Sequence, residues 1–570
     1  MTYDILIKNG TIVDGSGMPS YRADLGVKDG KIARIGRLNG AIARETIDAD
    51  GKIVSPGFVD GHTHMDAQIN WDFKGTCSCY FGVTSVVMGN CGFTIAPCKL
   101  DEIELVTWNL ERAEDIPAAA MESGIEWSWE TFGQYLDAID KLPKGLNYAG
   151  YVGHSALRTY AMGRNYRNTA SSDQIEVMAK ELRSALRAGA LGMSTTRDAI
   201  RHVTPDGSPV ASAYAAWEEV EYLTKVMADE GAGFLEITPE GGALTVPERG
   251  EFEDFYARLT KLCVETGVPT TMGALSSLRN PWFHERQLAV FDNINKSGGT
   301  IWGQVTSRPI GIYFSFETKL LYDDLPVWRE LRAKPLPEQE ELMRDPEMRR
   351  KLVEAVVDDN PADFLGMPVS YEGITVVQGG FQSRNDPSVA QLAFQRGVRP
   401  VEVIIDTALE KGLKRFFYYP LTNNLDSGTT ELLKSPYTVT CFTDSGAHIL
   451  QVLDVVLPVD LLSYWAREAK VLSLEQAVRM LSFLPATRWG FHDRGLLREG
   501  FAADINVFDW ERLGLDNLEV RADLPADCKR LFVKAVGFDA TLVNGQIAVR
   551  NGEHTGAYAG KLIRGPLARH

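Results

Sequence analysis

The 570-residue chain is 44% apolar and 24% charged, a composition that buries a large core and suits several domains or one large barrel with additions. Its formal charge of −17 is spread as mixed acids and bases with no basic stripe, which argues against a nucleic-acid partner and mainly favours solubility; the partner expected is a small-molecule substrate. Seven cysteines without paired C-x-x-C knuckles exclude a disulfide framework and a structural zinc site. With no long apolar run and no signal-like start, the expectation is a cytoplasmic protein without membrane contact, its state open between monomer and homo-oligomer.

In chain order, "DILIKNGTIVDGSG", "ADLGVKDGKIARIG" and "TIDADGKIVSPG" alternate short strands with glycine turns. The same grammar returns in "GFAADINVFD" and "ATLVNGQIAVRNGEHTG", so residues 1–56 and 490–570 are expected to form one small β-sandwich domain around residues 57–489. Between the ends, apolar runs alternate with helix-like stretches: "FVDGHTH", "GVTSVVMGNCG", "LNYAGYVGHSALR", "GALGMSTT", "AGFLEITPEGG", "GVPTTMGALSS", "GTIWGQVTSRP" and "YTVTCFTDSGAH". Repeated βα units of this kind make an α/β fold with a parallel sheet, here a (β/α)8 barrel of the TIM type. A charged, helix-favouring insertion at 318–365 interrupts the rhythm and reads as a lid, a side wall or a plain solvated addition.

In such a barrel the strand C-termini carry the chemistry, and that is where His62, His64, Cys91, His154, Glu236 and Asp444 fall. Residues i and i+2 of a strand share a face, so His62 and His64 aim at one point and make half of a metal site. Asp444 closes the last strand, which lies beside the first in a closed barrel; its carboxylate can bind metal and take a proton from activated water. Cys91, flanked by glycines at the second strand end, can ligate or bridge as a thiolate. His154 is expected to hold substrate or an oxyanion, or to be a satisfied wall histidine. His202, in a loop over the mouth, is a candidate substrate contact, and His448, four residues beyond Asp444, either contacts substrate or caps the following helix. Arg197 and Arg308 are candidate clamps for a substrate carboxylate.

Taken together, "LIKNGTIVDGSG", "SPGFVDGHTHMDAQ", "GNCGF", "VGHSALR", "GALGMSTT", "TDSGAH", "DRGLLREGFAADINVFD" and "LVNGQIAVRNGEHTG" resemble the amidohydrolase superfamily, within it the D-aminoacylase (N-acyl-D-amino-acid deacylase) group. The resemblance implies a metal-bearing barrel, a β-sandwich built from both chain ends, and amide hydrolysis by metal-activated water. It also implies a histidine in a "T-H-x-R" segment after strand five and another in "S-H-x-K" after strand six, which with the cysteine hold one zinc. The matching stretches here contain no histidine: Glu236 stands near the first position and Ala274, which cannot ligate, near the second, and the lysine of the second motif is gone as well. Three arrangements are open. His62, His64 and Asp444, with or without Cys91, hold the metal; or Glu236 takes a ligand or proton-transfer role; or metal binding is weak and the activity altered.

The expected cofactor is a divalent metal, zinc being favoured by imidazole and thiolate and one ion over two. The expected activity is cleavage of a non-peptide C–N bond in an N-acyl-D-amino acid or related N-acyl compound, with Asp444 moving the proton and His154 near the oxyanion. Competing readings are hydrolysis of a cyclic amide, carbamate or aromatic amide on the same scaffold, and a non-catalytic binding or assembly barrel.

Overall fold

A computed structural model describes residues 2–241, 249–357, 369–424 and 426–568. Strands from both ends of the chain build one nine-stranded sheet. Thr2–Ile12 pairs with Tyr21–Lys28, which pairs with Lys31–Gly36, and Ile42–Asp48 lies along Thr2–Ile12. Ile53–Pro56 joins this half to Ile505–Phe508, after which Phe538–Val543, Gln546–Arg550 and Glu553–His554 follow. Alternate residues of these strands, among them Ile5, Ile7, Leu25, Val27, Ile505, Val507, Ala540 and Leu542, share one apolar cluster, as the two-residue strand period requires.

The middle of the chain supplies parallel strands. Phe58–Asp60, Val83–Met88 and Asn147–Gly150 pair in order. Val152–Gly153, Gly192–Thr196, Phe234–Thr238, Thr270–Gly273, Ile301–Val305 and Thr438–Thr440 pair in order as well. Leu191 N donates to Gly150 O across the two sets at 2.8 Å, and Phe442–Ser445 pairs parallel with His62–Thr63. Every residue of Val83–Met88 and Gly192–Thr196 is buried, as parallel strands covered on both faces should be. Helices Phe132–Lys141, Ser172–Ala188, Trp217–Glu230, Arg249–Thr266 and Phe283–Lys296 alternate with them. Thr131 with Gln134, and Ser171 with Gln174, form capping boxes that start two of these helices where the strand pattern stops.

The stretch expected as an insertion, 318–365, falls within a longer run of elements, from Ile310 to Thr422, that share a sheet and an apolar cluster of their own. Ile310–Phe314, Phe417–Thr422 and Thr375–Val376 form a three-stranded antiparallel sheet, and helices Pro326–Arg332, Leu336–Arg344, Pro346–Ala355, Val389–Arg396 and Pro400–Leu409 pack on it around a separate apolar cluster. The charged helices were visible by period, whereas a strand as short as Thr375–Val376 has too few residues to show one. Residues 358–365 of the expected insertion lie outside the described residues. Among the described residues, no helix is long and apolar enough to cross a membrane.

Candidate metal centre

His62 and His64 leave the chain two residues apart at the end of a strand, and their rings stand 5.4 Å apart. The parallel register sets Phe442 opposite His62 and Ser445 opposite Thr63, which lands Asp444 beside the pair. Its Oδ1 lies 3.2 Å from His62 Nε2 and 3.5 Å from His64 Nε2. The close approach needs Gly446: a Cβ there would sit 2.5 Å from the His64 carbonyl oxygen. Gln304 Oε1 bonds to His62 Nδ1 from the Ile301–Val305 strand, fixing the ring so that Nε2 faces Asp444. Cys91 follows Val83–Met88, with Sγ 3.5 Å from His62 Nε2. One donor atom from each of His62, His64 and Cys91 lies within 4.8 Å of the others.

Burial by itself would push the Asp444 carboxyl up, but the hydrogen bonds and charges of His62 and His64 outweigh it and hold it well below the usual carboxylate range. Burial lowers His64 to about 4, so its imidazole is neutral and ligand-ready at pH 7. For His62 burial also works downward, yet Asp444 and then Glu236 outweigh it and the net shift is upward. Burial, reinforced by Glu236, Glu114 and Asp444, raises the Cys91 thiol well above its ordinary value, so a cation is what would make it a thiolate. Two imidazoles, a thiol and a carboxylate suit a borderline-soft divalent ion such as zinc. Unpartnered buried atoms, His64 Nδ1 and Glu114 Oε1, mark the site as incompletely satisfied by the protein. Its backbone is strained: Cys91, Asp444 and His448 have φ of 55°, 52° and 49°, a region non-glycine residues seldom enter.

Other expected residues fall in different places. The buried Glu236 carboxylate accepts the Cys91 N–H at 2.7 Å and holds the cysteine loop; burial raises it to about 7. Ala274 is buried beside Gly303 and donates its N–H to Gln304 O. His154, expected near an oxyanion, has both nitrogens engaged: Nδ1 with Thr195 Oγ1 at 2.9 Å and Nε2 with Glu219 Oε1 at 2.8 Å. A neutral imidazole so engaged has no donor left for an oxyanion. Arg197 donates to Ser212 O, Ala215 O and Glu240, and Arg308 donates to Tyr313 Oη and Gln382 Oε1 beside Asp454. Both expected clamps are committed to the protein's own groups. His202 and His448 do reach the centre, where His448 Nε2 stands 3.8 Å from Glu114 Oε2.

Sequence reasoning missed Glu114 and Gln304. Glu114 Oε2 is 3.5 Å from His64 Nε2, and only 2% of the residue is exposed. It lies between helices Ile103–Glu111 and Ala118–Gly124, where an acid in a helix-rich stretch carries no local sign of burial. Gln304 sits within an apolar strand run, and a polar residue facing inward there was the available sign.

Residues 45–304 and 430–549 match the model of the amidohydrolase family. The N-acyl-D-aspartate deacylase of Alcaligenes xylosoxydans xylosoxydans is 26% identical over 563 residues, 97% of this chain and 93% of that protein. A D-aminoacylase structure, of a protein with a binuclear metal centre, superposes with a TM-score of 0.65 at 22% identity, covering 99% of this chain and 100% of that one. The N-acyl-D-glutamate deacylase of Bordetella bronchiseptica, complexed with zinc and a phosphonate mimic of the tetrahedral intermediate, gives 0.66 at 24% identity, with coverage of 99% and 100%. At these identities the structural likeness is one of fold.

Proposed function

This chain belongs to the amidohydrolase family, and from that premise we propose that it hydrolyses a non-peptide carbon–nitrogen bond in a small molecule, an N-acyl-D-amino acid or related N-acyl compound. The observation that carries the reading is the convergence of His62, His64 and Cys91 donor atoms within 4.8 Å, with Asp444 Oδ1 against both imidazoles. We read the successive parallel pairings as a (β/α)8 barrel spanning 57–489, with this centre at the strand C-termini. The terminal sheet, 1–56 and 490–570, is then a separate β domain.

His62, His64, Asp444 and Cys91 would hold a divalent ion, with zinc favoured. Bound there, such an ion supplies Lewis acidity toward the carbonyl and toward water. Asp444, ionised at neutral pH, accepts the proton of the attacking water at a carboxylate oxygen and passes it to the leaving nitrogen. Gln304 keeps His62 Nε2 turned inward, and Glu236 holds the Cys91 loop through its N–H. A deacylase relative matching over 97% of the chain supports the N-acyl-D-amino acid class.

The test is release of free amine from a panel of N-acyl-D- and N-acyl-L-amino acids by zinc-supplemented protein, beside Asp444→Asn. Turnover of D-substrates that the variant loses is the expected result. Activity only on cyclic amides or carbamates would move the substrate class, and none on any C–N substrate would overturn the reading.

A further inference from the structure

We propose that Cys91, Glu114 and His202 form a second divalent-cation position that shares the Cys91 sulfur with the first. The proposal rests on the reading of His62, His64 and Asp444 as the first position. One ligand atom from each of Cys91, Glu114 and His202 lies within 4.8 Å of the other two, the same closeness as in the His62, His64 and Cys91 set. Cys91 belongs to both sets, and a thiolate has lone pairs for two cations.

The Glu114 carboxylate shows what is missing from this place. It is buried; Oε2 faces His64 at 3.5 Å and His448 at 3.8 Å, while Oε1 has no hydrogen-bond partner. Its charged neighbours include Asp444, Asp66 and Glu236, all acids. A buried carboxylate with an orphaned oxygen among like charges costs free energy, which a divalent cation on that oxygen removes. His202 is already turned to ligate, because its Nδ1 is tied to Thr196 Oγ1 at 2.7 Å, which fixes the ring and leaves Nε2 as the ligating nitrogen. Sulfur, nitrogen and carboxylate oxygen together select a first-row ion such as zinc over magnesium or calcium.

This set differs from the one the family resemblance implied. The strand-five and strand-six positions hold no histidine, Glu236 is engaged with Cys91 N, and Ala274 offers no ligand atom. The second and third donors come instead from the segment after Val83–Met88 and the loop after Gly192–Thr196. The first would lose its charge repulsion, and the second its spare nitrogen, on binding the same ion.

The experiment counts zinc per chain by plasma mass spectrometry after chelator-stripped full-length protein is saturated with zinc and desalted, for wild type, Glu114→Gln and His202→Asn. Two ions in wild type and one in each variant is the expected result. In a parallel cobalt titration, the sulfur-to-cobalt absorption should grow over two equivalents in wild type and saturate after one in the variants. One ion in wild type overturns this proposal and leaves the first centre standing; two ions retained in both variants overturn the assignment to these residues; none in wild type overturns both readings. Circular dichroism confirms folding, and if Glu114→Gln does not fold, His202→Asn, in a partly exposed loop, decides the matter alone.

Discussion

The His154 cluster and the His62 cluster are both buried, and both join imidazole to carboxylate. Around His154 both imidazole nitrogens are engaged, by Thr195 and Glu219, and Glu219 is bonded in turn by Arg158, which also donates to the carbonyls of Tyr166 and Asn168 and leaves its own Nε without a partner. Around His62 and His64, potential ligand atoms stay unpaired, His64 Nδ1 and Glu114 Oε1 among them, and three residues sit in left-handed backbone. A histidine with all its hydrogen bonds made locks structure; a histidine pair with donor atoms left over, on strained backbone, is arranged for a ligand. Residue type does not separate the two clusters, since each holds buried histidine and glutamate. The state of their lone pairs does.

The sharpest way to break the contrast is Asp444→Asn. Asparagine tolerates the left-handed backbone at this position, so the fold should survive. With the proton acceptor gone, kcat should fall by about 10²–10⁴-fold, with a melting temperature close to wild type. A variant that keeps most of its turnover would place the reactive carboxylate elsewhere.

The complementary change, Glu219→Gln, should act on stability. It leaves the buried Arg158 without its counter-charge, a loss of roughly 3–5 kcal/mol for a broken buried pair, read by urea denaturation. The kcat of the folded fraction should change far less than in Asp444→Asn. An unchanged denaturation midpoint would show that the His154 cluster is not the structural tie described.

Gln304→Met tests the bond that aims His62. Loss of such a support typically costs about 10–100-fold in metal affinity or activity, and competition with a chromophoric zinc chelator measures it. No change in zinc affinity would mean that the His62 ring is held by its packing on Phe442, whose ring lies 4.1 Å away.

The smallest effect is on the acid limb of stability. Burial would raise Glu219, but His154 and Arg158 outweigh it and hold it at about 2. Burial lowers His154, with Glu219 opposing. Both groups therefore bind fewer protons folded than unfolded, and stability rises with pH. The His154 contribution fades as pH drops below its ordinary value of 6.5, and that of Glu219 between 4.5 and about 2. In Glu219→Gln the second window should vanish from a plot of urea midpoint against pH.

Much of this was legible before the structure. The H-x-H spacing put His62 and His64 on one face because strand geometry allows nothing else, and Asp444 could be set beside them from the order of the strands. The glycine-punctuated hairpins at both ends announced strands, and those strands do share one sheet. His154, Arg197 and Arg308 read as free polar groups at strand ends because the partners that engage them, Glu219, Ser212, Ala215, Glu240 and Gln382, lie on other elements. Glu114 was invisible for the converse reason: its own segment gives no sign that it is drawn inward.

The sequence by itself determined the period of each segment, the turn chemistry, and which residues share a strand face, because these depend on neighbours two to four positions away. Only the tertiary structure decided which polar atoms found partners and which did not. That outcome depends on groups as distant in sequence as Glu114 and His448 or His62 and Gln304, brought together by the packing of parallel strands, and it is the convergence of several ligand atoms with unpaired ones among them that marks where a ligand belongs.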